Sequence, residues 1–282
     1  MLPLLEVAGE ERRRSLVLRS ATTLRGVVLL DVEILRVVGG RLTYRGSDVR
    51  DAVRRFRDVV AAAPRDLSIQ GDLGLDESLD PLFTVLPCYT GSSVDGGGLE
   101  TLRTAPGLVD DDVRAHGFLD QQRVFDPPYG VNRAYWKGQF VSELPDELID
   151  ELIRLVTSFG RPTAGILLES LHGAPKETDA SHGAIGYRQA AFNVSAMPGW
   201  QDPLLDEPHI AWAREAAAAL QPWSVGGGYA NYMQADEPLE RISGAYGDEA
   251  FARLQALKTR LDPANVLRRN QNIPPLTAEA GG

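Results

Sequence analysis

The sequence predicts an α+β protein: an antiparallel β-sheet covered by helices on one face, followed by a C-terminal segment of different character. Three observations carry this. Strand-like runs outnumber helical ones, and turns or single helices separate most of them, as in antiparallel sheets. The helical runs are amphipathic on one side only, so they cover a sheet rather than form a bundle. Residues 226–275 condense a glycine turn, an aromatic stretch, a helix and an asparagine-rich tail, unlike anything before them.

Gly26–Leu35 (GVVLLDVEIL) is rich in β-branched residues and reads as a buried strand, with GGRLTYRG (39–46) as its hairpin partner. Ser47 or Asp48 caps a helix to about Ala63, with Val49, Val53, Phe56 and Val60 on one stripe, and Pro64 stops it. Strands follow near Leu67–Leu75 and Leu82–Tyr89, then the turn SSVDGGG (92–98) and a short helix near Leu99–Thr104. VNRAYWKGQFVS (131–142) reads as one long aromatic strand. Asp146 begins a helix carrying Leu148, Leu152, Leu155, Val156 and Phe159, which Gly160 and Pro162 end. Strands near Ala164–Leu171 and Tyr187–Met197 precede a helix near His209–Leu220. YANY (229–232) reads as a strand, and Asp248 caps a helix with Phe251, Leu254, Leu257 and Leu261 inward, closed by Asp262-Pro263.

Composition excludes several functions. The 282 residues carry a formal charge of −10, which argues against a nucleic-acid partner, whose phosphates need a basic face. No apolar run reaches the roughly 18 residues needed to span a bilayer, so no membrane partner is expected. The arginines of MLPLLEVAGEERRR follow its weak apolar patch, the reverse of a secretion signal, and a cytoplasmic protein is expected. One cysteine, Cys88, excludes an internal disulfide and a cysteine-rich metal site. It has no basic neighbour in sequence to lower its pKa, so it reads as a small core residue. His116, His182 and His209 lack metal-ligand spacing, so no metal is expected.

The C-terminal motifs carry a resemblance. YANY (229–232), AYG (245–247), RLQALKTRLDPANVLRRNQNIPP (253–275) and the upstream HIAWARE (209–215) resemble the berberine bridge enzyme-like FAD-linked oxidoreductases. A looser likeness runs back through YRQAAFNVSAMPGW (187–200) and YWKGQF (135–140) to GVVLLDVEI, so it covers about residues 26–275. The resemblance implies the substrate domain of that family: a sheet forming a cavity above the flavin, then a segment bracing a flavin domain. The family's flavin domain ends in a loop of the form LRGGGGNFGVV, where this chain reads LRSATTLRGVV (18–28). Ser20–Arg25 replace the glycines that let backbone N–H groups approach a diphosphate. Residues 1–25 are therefore expected to be a degenerate remnant of the flavin-domain end, 26–225 the substrate-binding sheet domain, and 226–282 the C-terminal segment. FAD is implied as cofactor but is not expected to be held by this chain alone.

The resemblance gives Tyr229 the role of removing a substrate proton, with Tyr232 second. Ser195 stands where many members carry the catalytic carboxylate or amide. Asn231, Asn270 and Asn272 are implied to lie near the flavin. On the residues themselves, Tyr135 and Lys137 share one face of the aromatic strand and would line a cavity, whereas Trp136 belongs to the core. Asn193 and Ser195 share a face and could bind a polar substrate, against the plainer reading of strand residues bonded to backbone. Glu169 and His172 are an acid and an imidazole close in sequence, but three residues apart they point to opposite faces of a regular strand, so structural roles are the better reading. Two functions follow: the substrate cavity for oxidising a small molecule such as a secondary metabolite or sugar alcohol, with FAD held with help from another chain, or a flavin-independent cyclase, isomerase or ligand-binding protein on the same cavity. Exposure of Val266, Leu267 and Ile273 would call for a second chain or a second copy to cover them.

Overall fold

A computed structural model describes residues 16–24, 27–34, 36–91, 98–124, 126, 133–178 and 183–276. β1 (Leu16–Leu24) and β2 (Val27–Ile34) pair antiparallel as a separate two-stranded sheet. β3 (Arg36–Gly39) and β4 (Leu42–Arg45) follow, then α1 (Val49–Ala61), β5 (Leu67–Leu75), β6 (Pro81–Tyr89) and the short α2 (Glu100–Arg103). Next come β7 (Leu108–Asp111), β8 (Arg114–Gly117), α3 (Phe118–Arg123), β9 (Arg133–Ala134), β10 (Lys137–Val141) and α4 (Asp146–Phe159). β11 (Gly165–Ser170), α5 (Ala174–Glu177), β12 (Phe192–Ala196), β13 (Gly199–Trp200) and α6 (Asp206–Ala219) lead to α7 (Leu239–Tyr246) and α8 (Asp248–Leu261). The main sheet has nine strands, ordered β10-β12-β11-β5-β6-β3-β8, with β4 on β6 and β7 on β4. The expected α+β architecture, with its antiparallel sheet, is what forms.

Period-2 alternation divides the sheet into two faces. Leu67, Ile69, Leu73, Phe83, Val85, Ile166, Leu168, Phe192 and Val194 point toward α1, α4 and α6 and form the core with Val53, Phe56, Leu152 and Trp212. Phe56 sits at its centre, edge-on to Phe83 at 5.6 Å and tilted against Phe192 at 6.1 Å. Gly71 is needed here because a Cβ would stand 2.7 Å from the Phe83 ring. The opposite face, free of those helices, carries Gln70, Asp72, Leu167, Glu169, Asn193 and Ser195.

Several expectations are corrected. GGRLTYRG is no hairpin partner for 27–34, whose partner is β1. Instead β3 and β4 continue along the same edge of β6 without a register slip, Gly39 opposite Cys88 and Leu42 opposite Val85. Gly40, at φ +135°, kinks this line rather than reversing it, and a side chain there would strike Asp112. The aromatic strand breaks at Tyr135–Trp136, because Tyr135 turns aside to bond Asp236. The strand expected from Tyr187 begins only at Phe192. YANY is a 3-10 turn, closed by Tyr232 N–H donating to the Tyr229 carbonyl at 2.9 Å; alanine and asparagine favour strands little. The turn expected at 92–98, except Gly98, and His182 lie outside the described residues.

The C-terminal segment has its own small cluster, Met233, Ile242, Ala245 and Phe251, against which Ile273 packs. A charged latch ties it to the sheet. Glu237, with a side chain only 2% exposed, receives Lys137 from β10 and Arg241 from α7. Arg241 also donates to the Gly138 carbonyl and to Gln139 Oε1.

Candidate active site

The helix-free face is polar where β11 and β12 lie side by side. Register places Glu169 directly opposite Asn193. Asn193 Nδ2 donates to Glu169 Oε2 at 2.6 Å, and the Tyr232 hydroxyl donates to Glu169 Oε1 at 2.9 Å. Ser195, fully buried, donates to Asn193 Oδ1 at 3.3 Å. The amide is thereby oriented with its nitrogen toward the carboxylate. Gly138, opposite Ser195, makes this fit, since a Cβ would lie 2.2 Å from Ser195 Oγ. Two strands and the C-terminal turn thus converge on one carboxylate.

Burial raises the pKa of Glu169, opposed by the bonds from Asn193 and Tyr232. Burial likewise raises the Tyr232 phenol, and the charge and hydrogen bond of Glu169 raise it further. Tyr232 therefore keeps its proton at neutral pH and acts as a hydrogen-bond donor, while Glu169 is the group poised to accept a proton. Around them runs a line of rings: Phe140 stacks on Tyr187 at 4.1 Å, Tyr187 meets Tyr229 edge-on at 6.2 Å, Tyr229 meets Tyr232 at 4.9 Å, and Tyr232 meets Trp136 at 4.9 Å. Trp136 thus belongs to this cluster and not to the sheet core.

The other sequence-selected residues fall into place around or away from this centre. Tyr229 and Asn231 are joined, Asn231 Nδ2 donating to the Tyr229 hydroxyl at 2.9 Å. Tyr135 and Lys137 do share a side, but both are taken up by the latch. The Tyr135 hydroxyl donates to Asp236 and accepts from Arg214; burial, then the Asp236 bond, push its pKa up to about 12. His172 leaves the strand and bonds the Leu67 carbonyl through Nε2, so it does not pair with Glu169. Asn270, exposed with φ +57°, and Asn272, whose Oδ1 is buried without a partner, lie on the tail. His209 is structural, bonded to the Leu205 carbonyl and to Thr163. Tyr187 and Asp72 were missed. The pairing of β5 with β11 that brings Asp72 beside this site is a long-range contact no local pattern reveals.

Asp72 lines a cavity of about 470 Å³ at the β5–β6–β11 end of the same face, with Leu75, Leu82, Thr84, Leu167 and Met197. Its residue is exposed at the cavity mouth, yet the atoms crowded around its carboxyl push the pKa up to about 6. Among the described residues no cluster of three or more histidine, cysteine or acidic side chains could hold a metal, and no helix is long and apolar enough to cross a membrane.

The chain was compared with known proteins. The profile of the family described as "Berberine and berberine like" matches residues 228–274. That segment is a berberine bridge enzyme-like domain. Beyond it, the chain is 23% identical over 188 residues to a tetrahydroberberine oxidase of Berberis wilsoniae, covering 61% of this chain and 35% of the relative. It is 25% identical over 167 residues to the FAD-linked oxidoreductase YgaK of Bacillus subtilis (strain 168), covering 58% and 36%. The fold matches berberine bridge enzyme from Eschscholzia californica at a TM-score of 0.75 and 16% identity, over 90% of this chain and 59% of that one. It matches 6-hydroxy-D-nicotine oxidase from Arthrobacter nicotinovorans at 0.70 and 20% identity, over 89% and 58%. The chain thus has the fold seen in these solved oxidases and aligns with about a third of the length of the curated relatives.

FAD is linked to the relatives by name, and its fit here can be tested at the residues expected to meet the diphosphate. Ser20–Leu24 are a strand paired with Val27–Asp31. Amide groups along an extended strand alternate in direction, whereas a phosphate cradle needs them converging on one point. This segment does not fit the group. The buried, unpartnered Asn272 Oδ1 and the exposed Asn270 are compatible with a polar ligand edge, but they supply no cradle.

Proposed function

We propose that this chain is the substrate-holding, proton-accepting part of an FAD-linked oxidation of a small molecule, with FAD held with help from another chain. The observation that carries it is Glu169, gripped between the Asn193 amide and the Tyr232 hydroxyl on the helix-free face. A substrate hydroxyl displacing the Tyr232 O–H would hand its proton to Glu169, whose raised pKa suits it to receive one. This moves the base from Tyr229 to Glu169 and leaves Tyr229, Tyr187 and Trp136 as an aromatic wall for an apolar body, such as that of a secondary metabolite. Ser195 has no exposed atom for a substrate and acts through Asn193.

Val266 and Leu267, 75% and 78% exposed, with Leu261 beside them, are the proposed face for the flavin-holding chain. Cys88, a free thiol with a pKa raised by burial, suits a reducing compartment, and the cytoplasm is the proposed location. A second reading, a flavin-independent isomerase or cyclase, has support from the same carboxyl–phenol pair, which is complete without a cofactor. Visible absorbance separates the two. The purified chain should stay colourless with added FAD and acquire a flavin band only with a second chain. A stoichiometric flavin band from the chain alone would overturn the reading, and no band with any co-expressed partner would leave the isomerase.

A further inference from the structure

The cavity beside the site holds a carboxylate with no ion-pair or hydrogen-bond partner among the described residues. Asp72 stands on β5 opposite Leu167 and Thr84, and its Oδ1 leans over Gly165, 3.5 Å from where a Cβ would be. Glycine at 165 keeps the ground beside the carboxylate open. The rest of the lining is Leu75, Leu82, Leu167 and Met197, backbone, and two threonines; it contains no basic side chain. One of those threonines, Thr163, is already engaged with His209. Asp146, Asp206 and Glu237, by contrast, each have an arginine or lysine within reach. A carboxylate bordered by apolar side chains and lacking a cation offers a cationic ligand group a charge that no side chain already neutralises.

We infer that Asp72 is the anchor for a positively charged amine, so that the substrate of this site is an amino-bearing small molecule whose ammonium lies in the Asp72 cavity. The inference rests on the proposed function only for where the other end of that molecule reacts. Glu169 is two residues along β11 from Leu167, the register partner of Asp72. That diagonal is roughly 7–8 Å between residues in an antiparallel sheet, so one small molecule can reach both carboxylates. The amine is held and the reacting hydroxyl is a different group. The chain's net charge of −10 draws cations toward this face as well.

The test is calorimetric titration of the intact chain with benzylamine and with its neutral counterpart benzyl alcohol. Benzylamine should bind at least about tenfold tighter, a difference of about 1.4 kcal/mol. Asp72→Asn should bring benzylamine down to the level of the alcohol with the far-UV circular dichroism unchanged, and Glu169→Gln should leave most of the amine affinity. Glu147→Gln, an exposed acid on α4, controls for general attraction. Lowering the pH through about 6 should weaken amine binding as Asp72 takes up its proton, since β6, β11 and the 162–164 and 197–199 loops place no other titratable group in the cavity lining. Equal binding of amine and alcohol, or equal losses in Asp72→Asn and Glu147→Gln, would overturn the inference. Amine binding by a chain that takes up no flavin with any partner supports the anchor while the oxidation reading fails. Flavin-dependent turnover of alcohols with no preference for amino alcohols does the opposite.

Discussion

The two faces of the main sheet are built from the same four central strands and could hardly differ more. Toward the helices, β5, β6, β11 and β12 present Leu67, Ile69, Phe83, Val85, Ile166, Leu168, Phe192 and Val194, all buried and all apolar. One residue along each strand, the other face presents Gln70, Asp72, Glu169, Asn193 and Ser195. A side-chain period of two lets one sequence carry both instructions at once: alternate positions along each strand hold the fold together, and those between them form a reactive surface. The consequence is a separation of roles that mutations can probe, with stability concentrated on one side and chemistry on the other.

The largest expected effect lies on the helix side. Phe56→Ala removes a fully buried ring that touches Phe83 and Phe192 and should cost about 3–5 kcal/mol in denaturant unfolding. Leu167→Ala, two strands away on the open face and only half-buried, should cost less than about 1 kcal/mol. Similar losses for the two would break the contrast. Next is the latch that brings Tyr229 and Tyr232 to the sheet. Glu237→Ala leaves Lys137 and Arg241 without their shared buried partner and should cost about 3 kcal/mol, the low end for breaking such a pair, since Asp236 lies 3.8 Å from Lys137. The tryptophan emission of Trp136, edge-on to Tyr232, should shift in the same variant as the turn loosens.

A smaller effect sharpens the chemistry of the open face. Glu169→Gln takes away the charge that adds to burial in raising the Tyr232 phenol. The titration of that tyrosine, followed by its ultraviolet difference band, should move down toward the ordinary value, staying above it because burial persists. The unfolding midpoint should change little. A Tyr232 titration unmoved by the substitution would show that the two groups do not share a proton.

The sheet's helix side was also the legible side of the sequence. β5 and α4 fall where their periodicity puts them, because alternation and the 3.6-residue stripe are each enforced by a single continuous surface. The Glu169 site was only half legible. Its parts were visible as polar residues in apolar strands, but Tyr229 and Tyr232 were read as alternating along a strand when they stand on a tight turn, their rings edge-on. What decided that turn is the latch at Asp236 and Glu237, contacts about a hundred residues from Tyr135 and Lys137, which local patterns do not carry. The β3–β4 line was misread for the same reason: a Gly-Gly pair marks a bend, while the choice between a kink and a reversal rests on β6 and β8, which pair with it from far along the chain.

The smallest effect concerns two aspartates. On the helix side, Asp146 receives Arg54 and Arg57, and those bonds hold its pKa down to about 2. On the open face, Asp72 has no such partner and is pushed up to about 6. The signs of their contributions to stability are therefore opposite. Asp146, with a folded pKa below its unfolded one, stabilises the protein above about pH 4 and loses that contribution as pH falls toward 2; Asp72, with a raised pKa, stabilises the protein below about pH 4 and loses that contribution as pH rises through 6. Melting curves should show Asp146→Asn slightly less stable than the parent at pH 7, the gap closing only as pH falls to about 2, whereas Asp72→Asn should be as stable or more stable at pH 7 and lose that margin as pH falls from about 6 toward 4. Both shifts are small because both groups reach solvent. Destabilisation by Asp72→Asn at pH 7 would mean that its carboxylate already has a partner in the fold, and the amine would then have no vacant charge to meet.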